Sequence, residues 1–196
     1  VTSLTEWIEQ AQAGDYIAFD NIYTELAPSV RRFISRLIGE SSADDVLQDV
    51  FIALYKNLDA IDPPEKLKPY LFRVARHRCY DWLRRNGRYD ELSLDDEPVH
   101  VRVSFLASSQ NDVPPDETTH YLLLMMEVRE AIDRLPDAQR QTLIFYAEEG
   151  LSYGEIAEIM DVNIGTVKSR LHHAKKGLRG FLRPETLLAI EDSMKE

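Results

Sequence analysis

The sequence predicts an all-α protein built as two small helical domains joined by a long acidic linker. Three observations carry that prediction. Apolar residues recur at three- and four-residue spacing through residues 18–85 and again through the second half of the chain. Between 86 and 119 that spacing lapses, and Asp, Ser and Pro accumulate. Charge is segregated: the chain has a formal net charge of −11, yet two helix-length stretches are strongly basic. The expected division is 1–86 for the first domain, 87–119 for the linker, 120–183 for the second domain and 184–196 for a C-terminal tail.

Taken in order, Phe19, Ile22, Tyr23, Leu26, Val30, Phe33, Ile34 and Leu37 define one amphipathic helix over 18–38, with Pro28 as the expected kink. "SADD" at 42–45 matches a Ser-x-x-acid cap, and Val46, Leu47, Val50, Phe51, Leu54, Tyr55 and Leu58 follow on one face of a second helix. Pro63 and Pro64 force a loop, after which 67–85 forms a third helix with Leu71, Ala75, Cys79 and Trp82 aligned. In the connector only Val99, Val101, Val103 and Phe105 alternate, as a short extended segment or an apolar patch in a linker would. A structureless connector of this length is foreign to one compact domain, so two domains are expected. The second resumes with "YLLLMMEVREAIDRL", breaks at Pro136, continues through "AQRQTLIFYAEE" and ends in two short helices. "ETLLAIEDSM" in the tail can add a further helix.

Composition excludes several classes. Apolar residues at 44% and charged residues at 29% are ordinary globular values. Cys79 is the one cysteine, so no internal disulfide or cysteine metal cluster is available, which suits a reducing compartment. The sequence has neither an apolar run of bilayer length nor a basic-then-apolar leader, and the expectation is a cytoplasmic protein without membrane insertion. No phosphate-binding glycine loop, nucleophile elbow or metal-ligand spacing occurs, so no catalytic residue, metal or cofactor is expected. His172 and His173 are adjacent rather than four apart, which does not suit a metal.

The basic stretches point to nucleic acid. From 163 to 183 the chain holds Lys168, Arg170, Lys175, Lys176, Arg179 and Arg183 and no acid. Before it, Ser152 and Glu155 form a capping box for "YGEIAEIM", "DVN" supplies a turn, and Asn163 caps the next helix. Helix, tight turn, helix is a DNA-binding arrangement. At 100° per residue Ile164, Val167, Leu171, Ala174 and Leu178 pack inward, while Gly165, Thr166, Ser169, His173 and Lys176 face away and Lys168, Arg170, His172 and Arg179 flank them. Small and polar groups near the helix start can reach base edges; the basic flanks hold phosphates.

The first basic island, 66–88, interleaves Lys66, Lys68, Arg73, Arg76, Arg78, Arg84, Arg85 and Arg88 with Tyr70, Phe72, Tyr80 and Trp82. Rings beside cations suit single-stranded DNA, although Phe72 and Trp82 sit at core spacing. Arg76, His77, Arg84 and Arg85 are the better contact candidates. Asp44, Asp45, Gln48 and Asp49 form an acidic patch at the start of the second helix; the helix dipole accounts for part of it and a basic protein partner for the rest.

The stretch "AFDNIYTELAPSVRRFISRLIG…ADDVLQDVFIALYKNL…LKPYLFRVARHRCYDWLRR" resembles region 2 of the extracytoplasmic-function (ECF) sigma factors of bacterial RNA polymerase. "AIDRLPDAQRQTLIFYAEEGLSYGEIAEIMDVNIGTVKSRLHHAKKGLR" resembles their region 4. The resemblance implies an alternative sigma factor that brings core polymerase to promoters through minus 35 and minus 10 elements. Asp45, Gln48, Asp49 and Ile52 would meet the clamp helices of the largest polymerase subunit, with a further contact to the flap. The loop from Asp62 to Lys66 and the start of the third helix would capture a flipped base of the minus 10 element. Lys66, Lys68, Tyr70, Arg73, Arg76, His77, Arg84 and Arg85 would serve the minus 10 element. Tyr153, Thr166, Lys168, Ser169, Arg170, His172, His173 and Lys176 would serve the minus 35 element. An anti-sigma factor is implied as a partner. The chain reads "ARH" where the family commonly has "ARN", placing His77 in a position tied to minus 10 preference. Two competing readings are a sigma-like decoy for an anti-sigma factor, which predicts a disrupted recognition helix, and a stand-alone helix-turn-helix regulator, which leaves the first basic island and "DDVLQDVF" without a role.

Overall fold

Ser3 starts the chain's first helix by capping it: its hydroxyl accepts from the Glu6 N–H, and the Glu6 carboxylate accepts from the Ser3 N–H. This helix, α1 (Leu4–Gln12), is an element that the apolar spacing did not disclose, because Ile8 is its buried residue. It appears in the computed structural model of the protein, which describes residues 3–88 and 115–193. All elements among the described residues are α-helices or short 3-10 turns. The alternating segment at 99–105 lies outside the described residues.

The chain divides into two compact units, Val1–Asp90 with Leu151–Val162, and Glu91–Gly150 with Asn163–Glu196. In the first, Asp15 caps α2 (Tyr16–Ile38) by accepting from Ile17 and Ala18 N–H. One continuous helix runs through Pro28, and it ends at Gly39, whose φ of 89° a side chain would resist. The second helix, α3 (Ala43–Asn57), begins differently from the expected Ser42 cap. A 3-10 turn at Glu40–Ser42 already winds the chain, Ser42 has helical backbone angles, and its side chain makes no capping bond. Asp44, expected near that cap, is held instead by Arg31 of α2. The third, α4 (Leu67–Arg85), matches its expected span.

These helices bury Ile22, Ile34, Leu54, Leu71, Phe33 and Phe72 almost completely, with the two Phe rings edge to face at 5.7 Å. Each such side chain contributes about 1.5–3 kcal/mol, against about 1 kcal/mol for a cap. The interior therefore holds the unit together, and the caps set where helices begin. α7 (Tyr153–Met160) belongs to this unit and lies against α4. Its Ser152–Glu155 capping box forms as the sequence predicts.

In the second unit α5 (Pro115–Asp133) starts ahead of the expected position at 120, and α6 (Asp137–Ala147) follows the break at Pro136. The corner is polar and buried: Asp137 accepts from Arg140 at 2.7 Å and from Gln141, and Arg140 also donates to the Asp133 carbonyl. α8 (Ile164–Phe181) packs on α6 and touches α5. Gly177 permits that approach, since a Cβ there would stand 2.9 Å from Leu135 Cδ2. The tail forms α9 (Pro184–Ser193). Its start is capped by another helix: Glu127 of α5 accepts from the Arg183 N–H, the Arg183 guanidinium and the Thr186 hydroxyl, all within 2.6–2.8 Å. Arg183 first, and then its N–H, hold the Glu127 carboxyl down at about 2.

Candidate nucleic-acid interface

Asn163 sets the start of α8: its side-chain oxygen accepts from the Thr166 N–H at 2.8 Å and lies 3.2 Å from the Thr166 hydroxyl. Ahead of it, α7 ends with Asp161 in the left-handed region at φ 54°, a conformation Asp tolerates, and the Val162 N–H bonds back to Ala157. Helix, short turn and capped helix thus follow in the expected order. Val167, Leu171 and Ala174 are buried and Leu178 half-buried. Ile164 departs from expectation: it is 48% exposed. At 100° per residue it lies at the edge of the stripe centred on Val167, Leu171 and Ala174, and it is the first residue of the helix, with no preceding turn to shield it.

Of the expected minus 35 residues, Lys168, Ser169, His172, His173 and Lys176 are exposed on α8, and Thr166 and Arg170 are half-buried. The His172 and His173 rings lie 5.7 Å apart. Tyr153 is half-buried at the first position of α7. Gly165 keeps the leading edge thin, and a Cβ there would stand 3.0 Å from the Asn163 cap oxygen. One residue absent from the expected set is Lys175, whose ammonium lies 5.4 Å from the centre of the Tyr146 ring of α6. With Lys168 and Arg179 it forms a row along one flank of α8, a pattern readable from seven- and four-residue spacing. Its attraction to a ring came only from the fold.

On α4 the exposed side carries Arg73, His77 and Arg84, with Tyr70 half-buried on the same row. Lys66 precedes the helix at the end of a 3-10 turn, Pro64–Lys66. Arg76 stacks on Tyr80 at 4.6 Å, and Arg73 lies 5.8 Å from the Tyr70 ring, so two of the expected cations already have ring partners. Arg84 pairs with Asp81. Lys68 is half-buried on the side of α4 away from Arg73 and His77, and Arg85, though exposed, falls off their row. Phe72 is fully buried, as its spacing implies, and Trp82 is half-buried with Arg88 5.8 Å from its ring. A pocket opens beside the loop, walled by Ile61, Asp62, Lys66, Tyr70 and Arg73, with Glu158 and Ile159 of α7 on one side.

A second surface has different chemistry. Asp45, Gln48, Asp49 and Ile52, at three- and four-residue spacing, form one exposed stripe on α3. Asp44 lines the same groove as Asp45 and Gln48 but is already paired: Arg31 donates to Asp44 at 2.7 Å and to Glu40 at 2.8 Å. That bond from Arg31 holds the Asp44 carboxyl below its usual range, and Asp44 first, then Glu40, hold the Arg31 guanidinium above its own. The stripe borders a groove whose apolar wall, Phe19, Tyr23 and Tyr55, sequence spacing had assigned to helix interiors. Tyr23 is 41% and Tyr55 56% exposed, and Phe19 meets Tyr55 edge to face at 5.3 Å.

These features define a class, the sigma-70-type factors. The sigma-70 region 2 family model matches residues 22–89, and the sigma-70 region 4 family model matches residues 125–178. The chain is 30% identical over 90% of its length to the ECF RNA polymerase sigma factor SigW of Bacillus subtilis, covering 95% of that protein. It is 28% identical over 90% of its length to the ECF RNA polymerase sigma-E factor of Escherichia coli, covering 93% of that protein. Among solved structures, the sigma factor RpoE of Bartonella quintana, crystallised with the anti-sigma factor NepR, shares the fold with a TM-score of 0.61 at 24% identity, over 83% of this chain and 95% of that one.

The chain belongs to the ECF RNA polymerase sigma factors. It is an alternative sigma factor directing promoter-specific transcription, and its relatives are transcription initiation factors. No helix among the described residues is long and apolar enough to cross a membrane.

Proposed function

We propose that three chemically distinct exposed faces divide the work of this sigma factor. The acid-amide stripe of Asp45, Gln48, Asp49 and Ile52 docks on the clamp helices of the largest subunit of core RNA polymerase, and residues 120–183 add a contact to the flap. A carboxylate-rich stripe edged by Tyr23 and Tyr55 suits a partner that is basic with an apolar spine. Residues 1–86 also serve the minus 10 element. Tyr70, Arg73, Arg76, His77 and Arg84 face the melted strand, with Lys66 and Arg85 adding charge beside it and Lys68 acting at longer range from the far side of α4, and the loop from Asp62 to Lys66 captures an unstacked base. On α8, Lys168, Ser169, His172 and His173 read minus 35 bases, while Tyr153, Arg170, Thr166 and Lys176 hold the backbone. Residues 87–119 tether the two parts.

The observation that carries this reading is the capped helix α8, which exposes Lys168, Ser169, His172, His173 and Lys176 together and no acid. Such a helix fits DNA and gives a decoy nothing to do. An anti-sigma factor is the further partner proposed, in line with the RpoE–NepR complex, and the site of action is the cytoplasm, where polymerase is.

The test is run-off transcription with core polymerase on a duplex promoter library and its pre-melted counterpart. The parent directs initiation from a defined pair of motifs. Lys168→Ala lowers duplex initiation about tenfold or more, the scale of losing one base or phosphate contact. Asp49→Ala weakens polymerase binding on both templates. If core polymerase is never redirected while an anti-sigma factor still binds, the decoy reading replaces this one.

A further inference from the structure

The loop assigned to base capture has an unusual support. It follows a 3-10 turn, Leu58–Ala60, and an extended Ile61. Pro63 and Pro64 have no N–H, so this segment is poor in backbone donors with which to fix itself. The support arrives from α1. The Gln12 carboxamide nitrogen donates to the Leu58 carbonyl at 2.9 Å and to the Ile61 carbonyl at 3.0 Å, spanning 46 and 49 residues of sequence. Both protons of one amide are used on two carbonyls that bracket the turn, and the Leu58 carbonyl also accepts from the Ile61 N–H at 3.1 Å. Gln12 is the last residue of α1 and is half-buried, so water replaces these bonds poorly.

Directly after the bracketed turn come Asp62, Lys66, Tyr70 and Arg73, which wall the pocket beside the loop together with Ile61 itself. With Glu158 of α7, two carboxylates, two cations and a ring surround an apolar floor, which matches a nucleobase with its flat π face and polar edges. The direction in which Asp62 and Lys66 point depends on where Ile61 leaves the turn, which the Gln12 amide helps to hold beside the Ile61 N–H bond to Leu58 and the buried Ile61 side chain. α1 lies outside residues 22–89, the span of the region 2 match, so its role is not contained in that match.

We propose that Gln12 is a positioning residue for base capture: by bracketing the Leu58 and Ile61 carbonyls it fixes the loop of residues 62–66 in the orientation that discriminates the unstacked base. This rests on the base-capture reading above. Gln12 touches no DNA; its effect on selectivity passes through the backbone at 58–61.

The test uses the full chain bound to core polymerase and four single-stranded oligonucleotides that differ at the captured position. The readout is the ratio of affinities for the preferred base and the others. Gln12→Leu, which cannot donate, lowers that ratio about tenfold, the scale of one good base contact, and leaves polymerase affinity unchanged. Gln12→Glu, close in shape but without a donor, lowers it too and replaces Gln12→Leu should that variant not fold. Gln12→Lys, whose ammonium can donate to both carbonyls, keeps the ratio near the parent value. A merely structural role lowers binding of all four oligonucleotides equally and leaves the ratio intact; that outcome, or a Gln12→Lys chain that folds but does not restore the ratio, overturns the proposal. If the parent has no base preference at any position and Lys66→Ala changes nothing, base capture itself is refuted and the proposal falls with it. A parent with clear preference that Gln12 variants retain refutes the proposal alone.

Discussion

Asn163 shows how much a single side-chain oxygen can decide. It accepts the Thr166 N–H that would otherwise be an orphan of the first turn, and it fixes where α8 starts and so which residues lead. Asn163→Ala is expected to lower stability by about 1 kcal/mol, read as a lower midpoint in chemical denaturation. Affinity for duplex minus 35 DNA should fall more than affinity for polymerase does. This cap was legible, because Asn before an apolar-periodic run is a local signal. Gln12 was not: its partners lie 46 and 49 residues away, and no local pattern marks a donor for distant carbonyls. Lys175 falls between these cases, since its charge and flank were readable and the Tyr146 ring beneath it was not.

At the scale of elements, apolar spacing found α2, α3, α4, α6, α7 and α8 because each buries a stripe of several residues. It missed α1, which is short and buries Ile8 alone, and it misjudged the start of α3, where a preceding 3-10 turn supersedes the Ser42 cap. α9 owes its start to Glu127. That carboxyl is depressed to about 2 from an ordinary value of 4.5, so its contribution to docking α9 is complete above about 4.5 and is lost as pH falls toward 2. Protection of the α9 amides, the exchange rate taken relative to its intrinsic value at each pH, should therefore fall through that acid window in the parent. In Glu127→Gln, exchange should be faster already at neutral pH and show no transition there; an unchanged acid transition in that variant would assign the effect to another group.

For the whole molecule, the issue is how a chain of net charge −11 binds a polyanion. Long-range repulsion opposes approach, so binding depends on local basic rows and on polymerase holding them in place. Salt dependence measures this. Each phosphate neutralised adds about 0.9 to the slope of log affinity against log salt, and Lys176→Ala in the polymerase complex should reduce that slope by about 1. An unchanged slope would mean that Lys176 contacts bases or solvent and not phosphate.

By itself the sequence determined the helical class, most helix limits, the two basic islands and the acidic stripe, because helical periodicity and capping are local and charge is read residue by residue. Tertiary structure decided what depends on residues far apart in the chain. It withdrew Asp44 to Arg31, seated Lys175 over Tyr146, opened the Phe19–Tyr23–Tyr55 wall beside the stripe, tied α9 to Glu127 and gave the 58–61 turn its bracket from Gln12. Hydrogen bonds and ring contacts across such distances are set by packing of the core, and only a folded chain brings those partners within reach of one another.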